Sequence, residues 1–150
     1  MSNIKLNKIF KTACIASDHA GYKLKEDIKN YLIDKKMSVF DIGPYNDNSV
    51  DYPDYAKKLG NRIKLKKSDV GILVCGSGTG MAISANKIKS IRAAVCYNMK
   101  STRLSRQHNN ANIISLGSRL TTKKTAFKLV STFLKTKFEG GRHLRRVKKI

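Results

Sequence analysis

Cys75 ends an apolar run, Gly71-Ile72-Leu73-Val74-Cys75, and opens the turn Gly76-Ser77-Gly78-Thr79-Gly80. The alternating glycines allow backbone N–H groups to approach an anion closely. Their spacing is not that of a dinucleotide-binding loop, and no Lys-Ser or Lys-Thr follows Gly80, which excludes a P-loop. Met81 to Lys87 reads as a helix, so the thiol faces the positive end of a helix dipole and unpaired N–H donors, which favour thiolate over thiol. A thiolate so placed is a candidate base. The plainer alternative is a small buried hydrophobe, the usual fate of a free cysteine.

The elements around this turn must bring other polar groups to it. Thr12 to Ser17 reads as a strand, and Tyr22 to Lys36 as a helix with Leu24, Ile28, Tyr31 and Leu32 inward and Lys25, Glu26, Lys29 and Lys35 on its wet side. Ser38 to Ile42 is a second strand. Gly43 to Asp51 is a polar loop, and Pro53 starts a helix that carries Ala56, Leu59 and Ile63 inward. After the Cys75 strand and its helix come a strand at Ile91 to Cys96, a helix at Lys100 to Gln107, a strand at Asn112 to Leu116 and a helix at Thr121 to Lys137. A last helical segment begins at Leu144, set apart by Gly140-Gly141. Strands alternating with helices predict a Rossmann-like three-layer αβα sandwich on a five-stranded parallel sheet, with a C-terminal helical extension. In such folds ligands bind outside the carboxyl ends of the strands. Asp18-His19 closes the first strand, Cys75 the third, and Tyr52 precedes a helix, so one edge is expected to collect the chemistry. The three histidines, His19, His108 and His143, all lie in polar, loop-like segments.

Composition narrows the function classes. A chain of 150 residues with 41% hydrophobic content suits one domain. We expect a single domain over 12–150 after a loose basic leader over 1–11. Cys14, Cys75 and Cys96 are too few and too far apart for a disulfide scaffold or a zinc site, which points to a reducing, cytoplasmic setting. No run is long and apolar enough for a signal peptide or a membrane span. The net charge of +21 raises the alternative of a basic nucleic-acid-binding domain. The lysines are spread along the chain, however, and no RNP motif, zinc-finger spacing or helix-turn-helix stands out, so nucleic acid is not the expected partner.

Six segments in order carry a resemblance: Ser17-Asp18-His19-Ala20-Gly21, Asp51-Tyr52-Pro53, the turn after Cys75, Ala85-Asn86-Lys87, Ser105-Arg106-Gln107-His108-Asn109 and Gly117-Ser118-Arg119. With Phe138-Glu139-Gly140-Gly141-Arg142-His143 and Arg146, they resemble the family of ribose-5-phosphate isomerase B and galactose-6-phosphate isomerase, from Thr12 to about Ile150. The resemblance implies aldose–ketose isomerisation of a sugar phosphate through an enediolate, without a metal or other cofactor. For the pentose member the reaction lies in the non-oxidative pentose phosphate pathway. Allose 6-phosphate or galactose 6-phosphate is the hexose alternative.

By the same resemblance Cys75 is the carbon base, Ser77 assists proton movement at the oxygens, and Gly76, Gly78 and Gly80 line the oxyanion site. Some family members use a glutamate just after the last glycine; Met81 stands there, so this chain is of the cysteine type. His108 is implied as the ring-opening acid/base with Asn109 beside it. Asp18 and Tyr52 hold or orient the sugar, and His19, Arg142 and Arg146 bind the phosphate, joined by Arg119. Read without the resemblance, the plainer alternatives are a helix N-cap for Asp18, a core aromatic for Tyr52 and a solvated basic tail for Arg142 with Arg146. Members form homodimers, sometimes tetramers, in which His108 and Asn109 complete the neighbouring subunit's site.

Overall fold

The computed structural model describes residues 9–150. Its strands are β1 (Thr12–Ser17), β2 (Ser38–Gly43), β3 (Val70–Cys75), β4 (Ala93–Val95) and β5 (Ile113–Gly117). The helices between and after them are α1 (Tyr22–Asp34), α2 (Tyr52–Lys64), α3 (Thr79–Asn86), α4 (Met99–Asn109), α5 (Lys123–Lys135) and α6 (Arg142–Val147). The sheet runs β2-β1-β3-β5-β4 with every pair parallel. β1, β3 and β5 are covered on both faces, which is why each reads as a nearly unbroken apolar run.

Two cores flank the sheet, as expected for a three-layer sandwich. One packs Leu24, Ile28 and Leu32 of α1 and Leu129, Val130 and Phe133 of α5 against Ile15, Ile72 and Ile114. The other packs Ala56, Leu59 and Ile63 of α2 and Met81 and Ala85 of α3 against Cys14, Leu73 and Ile113. The chain leaves β1 outward to β2 and returns on its other side to β3, so the order reverses between β1 and β3. Loops diverge there at the carboxyl edge and leave a crevice.

Part of the predicted leader lies outside the described residues, namely 1–8. Residues 9–11 are tied down: the Ile9 N–H donates to Leu134 O at 3.1 Å and the Lys11 N–H to Asp69 Oδ2 at 2.9 Å. Among the described residues no helix is long and apolar enough to cross a membrane. β4 is shorter than predicted, because the Ile91 N–H turns back to Ile88 O and the Arg92 N–H donates to the Asn112 side chain. The last helix starts at Arg142, two residues earlier than predicted, which puts Arg142 and His143 in its first turn.

Lys25 is the clearest departure from helical periodicity: expected on the wet side of α1, it is 0% exposed. Its Nζ donates to Asp41 Oδ1 at 2.8 Å, Glu26 Oε1 at 3.0 Å and Pro44 O at 2.8 Å, between the rings of Tyr22 and Tyr45. Lys29 also binds Asp41, at 2.8 Å. Burial alone would raise the Asp41 carboxyl, but the hydrogen bonds from Lys25 and Lys29 hold it below the ordinary carboxylate range. Lys25→Met keeps the chain length and leaves the half-buried Asp41 with one cation. It is expected to cost about 3 kcal/mol, near the lower end for breaking a buried pair, read as a lower urea midpoint at pH 7. The carboxylates supply their stability fully above about pH 4 to 5, the unfolded range, and lose it as pH falls through their lowered folded values. The gap between variant and wild type should therefore close in acid.

Candidate functional site

The crevice between the β1 and β3 loops is a cavity of about 400 Å³ lined by Asp18, Tyr52, Cys75, Gly76, Ser77, Gly80, Arg119 and Leu120. Its floor is laced together by backbone bonds between strand ends. The Asp18 N–H donates to Val74 O at 3.2 Å, the Ser118 N–H to Cys75 O at 2.8 Å and the Arg119 N–H to Gly76 O at 3.0 Å. The Ser118 hydroxyl donates to Ala20 O at 2.9 Å. The backbones of the loops after β1, β3 and β5 are thereby tied into one unit, which sets where each of their side chains starts.

Cys75 is only 4% exposed, yet it lines the cavity. The Gly78 N–H donates to its Sγ at 3.1 Å, a bond that is stronger to a thiolate than to a thiol. Gly78 reaches this position with φ at +78°, and Ser115 Oγ donates to its carbonyl at 2.6 Å. The Thr79 N–H donates to Ser77 Oγ at 3.3 Å. Two donors of the turn are thus engaged by Cys75 and Ser77 themselves, which the sequence reading, with Gly76 to Gly80 all free for an oxyanion, did not foresee. Burial pushes the Cys14 thiol up to about 12 and raises Cys96 as well, in keeping with buried, inert roles.

At two points of this wall a glycine lets a side chain lie directly over the backbone. A Cβ on Gly80 would come within 2.8 Å of the Tyr52 ring, and one on Gly76 within 2.9 Å of the Arg119 guanidinium. Tyr52, the first residue of α2, is 42% exposed and lies across the turn, so it is not a core aromatic. Arg119 is exposed and covers the Cys75 end of the cavity. Asp18 is 8% exposed, and its Oδ1 accepts from the Gly21 N–H at 2.9 Å, a turn bond one step ahead of the helix. His19 is exposed; its Nδ1 accepts from the Val50 N–H at 3.2 Å, which leaves Nε2 as the N–H of the neutral ring.

His108, Asn109, Arg142 and Arg146 do not join this cavity within one chain. α4 starts beyond the carboxyl end of β4 and runs back against the strand direction. Its last residues therefore lie at the amino edge, where Arg92 donates to the Asn109 and Asn110 carbonyls. Asn109 lines a separate hollow of about 310 Å³ with Arg92, Ala93 and Ile150. The carboxyl edge gathers Asp18, Tyr52 and Cys75, as the sequence predicts; Arg142 and Arg146, carried by α6, stand with the end of α4 and away from His19. Only His19 of the three histidines is in a loop. His108 is in the last turn of α4, and His143 is buried in α6, so the loop-like assignment of these two is corrected.

The second cluster has its own geometry. The His108 and His143 rings stack with centroids 4.2 Å apart and planes 11° from parallel. Glu139 Oε2 lies 3.5 Å from His143 Nε2 and 4.0 Å from His108 Nε2. One ligand atom from each of the three falls within 4.8 Å of the others, close enough for an ion. The stacked rings nevertheless hold their nitrogen lone pairs in two separate parallel planes, and an ion at about 2.1 Å from both would lie out of each plane. Burial first, then the charges of His108 and Arg142, lower the His143 pKa, with Glu139 opposing.

The sequence reading assigned nothing to Arg106, Asn86, Glu139 or His143. Arg106 is 3% exposed and donates to Thr136 O at 3.1 Å between the rings of Phe10 and Phe133, which fastens α4 to the segment after α5. Asn86 donates to Ala93 O at 2.9 Å and accepts from the Ala93 N–H at 2.7 Å. The available signal was their place inside the quoted segments, with no periodicity to explain them.

The chain matches the family described as Ribose/Galactose Isomerase over residues 13–150. It is 51% identical over 136 residues to a putative sugar phosphate isomerase of Rickettsia bellii, covering 91% of this chain and 94% of that one. The crystal structure of a ribose 5-phosphate isomerase from Thermotoga maritima is 53% identical, with a TM-score of 0.91 over 92% of this chain and 95% of the other. The Mycoplasma genitalium ribose-5-phosphate isomerase B, solved with bound ribulose-5-phosphate, is 45% identical, with a TM-score of 0.87 over 92% of each chain. With the same five-stranded parallel fold and a match along nearly its whole length, this chain belongs to the ribose/galactose isomerase family and is an isomerase of its ribose-5-phosphate isomerase B type.

Proposed function

We propose that the chain interconverts D-ribose 5-phosphate and D-ribulose 5-phosphate, with Cys75 as the carbon base and His108 as the group that opens the sugar ring. The observation that carries this reading is the thiol of Cys75 on the wall of a sugar-sized cavity, beside a glycine turn and between Asp18, Tyr52 and Arg119. In ring opening His108 accepts the anomeric hydroxyl proton and a proton is delivered to the ring oxygen as its bond to C1 breaks; the net proton count is unchanged. Cys75 then takes the C2 proton, C1 and C2 pass through an enediolate, and the proton returns to C1. Ser77 Oγ serves the proton exchange between the two oxygens, and the remaining N–H groups at Gly76 and Gly80 meet the developing charge.

The phosphate falls to His19, Arg142 and Arg146, since an arginine fork can give a phosphate two parallel charge-assisted bonds. His19 and the arginines stand on different faces of one chain, so this reading requires a homodimer in which His108, Asn109, Arg142 and Arg146 enter the neighbour's cavity. The bound ketose phosphate in the Mycoplasma genitalium relative supports a sugar phosphate as ligand.

The direct test is ketose formation from ribose 5-phosphate, measured beside allose 6-phosphate and galactose 6-phosphate. Ribose 5-phosphate is expected to be the fastest, and no turnover of any of the three would overturn the reading. Mixing two inactive variants, Cys75→Ala and His108→Asn, tests the shared site. Random pairing of twofold-symmetric dimers restores one intact site in half of them, or about a quarter of wild-type activity. Recovery of none would place all groups of a site in one chain.

A further inference from the structure

We propose that Glu139 and His143 are positioning residues for His108, holding its imidazole in the plane from which it exchanges protons with the anomeric hydroxyl and the ring oxygen of the sugar. The proposal rests on the ring-opening role given to His108 above. A half-exposed histidine at the end of a helix is free to change rotamer, whereas a general acid/base must stay within hydrogen-bond reach of its target. The stack on His143 removes that freedom. His143 is itself 7% exposed, and its backbone N–H donates to Gly140 O at 3.0 Å.

The chain makes a specific detour to build this stack. Gly140 and Gly141 have φ of +67° and +53°, and no atom lies within 4 Å of a Cβ built on either. Glycine is needed there for the path of the backbone and not for space. That path folds the segment after α5 under the end of α4, where the Glu139 N–H donates to Gln107 O at 3.1 Å and Arg106 donates to Thr136 O. The carboxylate of Glu139 thereby stands at the Nε2 edge of both rings. When His108 takes up a proton, the ring beneath it must be neutral to avoid repulsion between two cations. Burial and the neighbouring charges of His108 and Arg142 favour the neutral form of His143, while Arg146 adds to and Glu139 opposes that tendency.

Two reactions of the purified full-length protein separate this role from a general structural one. The first is isomerisation of ribose 5-phosphate, which is mostly cyclic. The second is deuterium wash-in at C1 of ribulose 5-phosphate in heavy water, followed by NMR. That ketose cannot close a five-membered ring, because its O5 is esterified, so exchange needs the carbon base and no ring opening. His143→Ala is expected to slow isomerisation about 100-fold, the scale of a misplaced catalytic group, with wash-in close to wild type. His143→Phe, which keeps a flat ring without nitrogens, should recover most of the loss. Glu139→Gln should slow isomerisation about tenfold with the same selectivity; being half-exposed, it decides the matter if the His143 variants do not fold. Unchanged isomerisation in folded variants, or equal loss of both reactions, overturns the proposal. Wash-in that survives Cys75→Ala would instead overturn the carbon-base assignment, so the two failures are distinguishable.

Discussion

Cys75→Ala is expected to lower the rate of ketose formation from ribose 5-phosphate by about 10³-fold, within the range that a positioned general base contributes. The fold should survive. Cys75 is a small residue at a strand end, and its loss removes one sulfur and the acceptor of the Gly78 N–H, worth about 1 kcal/mol. Because the phosphate is proposed to sit on His19, Arg142 and Arg146, the variant should still bind ribose 5-phosphate with nearly wild-type affinity in a calorimeter. Cys75→Ser, of similar size and a far weaker base at neutral pH, should be almost as inactive, and that separates basicity from packing. Turnover at the wild-type rate in either variant would remove Cys75 from the mechanism.

Gly21→Ala should produce the largest loss of stability among single methyl additions in this chain. Gly21 has φ of −92° and ψ of −4°, which alanine adopts readily, so the backbone conformation is not the obstacle. The obstacle is distance: its Cβ would stand 2.2 Å from Val74 O and 2.5 Å from Val74 C. These are backbone atoms of a central strand and cannot swing aside as a side chain can, so α1 must lift from the sheet. The expected cost is about 3 kcal/mol, the upper end for overpacking, measured as the urea midpoint against Lys23→Ala on the exposed side of the same helix. Activity should fall further than stability explains. The moving parts carry Asp18 on one side and Cys75 on the other, and a shift of about 1 Å can cost 10²-fold in rate. A loss under about 1 kcal/mol would mean that the contact relaxes.

The fold was legible because its signals are local. Apolar runs such as Ile72-Leu73-Val74 and helical spacing such as Ala56-Leu59-Ile63 each name an element, and alternation of the two names the architecture. The carboxyl-edge cavity followed from the same logic for Asp18, Tyr52 and Cys75, which end or begin elements at the order reversal. The sequence misled where the partner is remote. Lys25 has the type and phase of a solvent-facing residue, and only Asp41 and the Pro44 carbonyl, 16 and 19 residues away, bring it inside. His143 sits in a basic segment that reads as solvated, and its burial depends on the two glycines that turn it beneath α4. The direction of α4 explains the separation of His108 from Cys75. A helix that returns against the strands must end at the opposite edge, a consequence of topology that residue types alone do not announce.

The side chain of Asn86 bears on how this protein stays apart from its own copies in a crowded cell. Parallel sheets that end in an open strand invite another chain to add on, and this is a common start of aggregation. In β4 the backbone of Ala94 faces β5, so of its three residues only Ala93 and Val95 turn outward. Asn86 occupies both groups of Ala93, as a strand would, and leaves a single residue, too short a template to seed growth. At this edge, contact with a second subunit must then be made through side chains, which discriminate between partners, and not through backbone pairing, which does not.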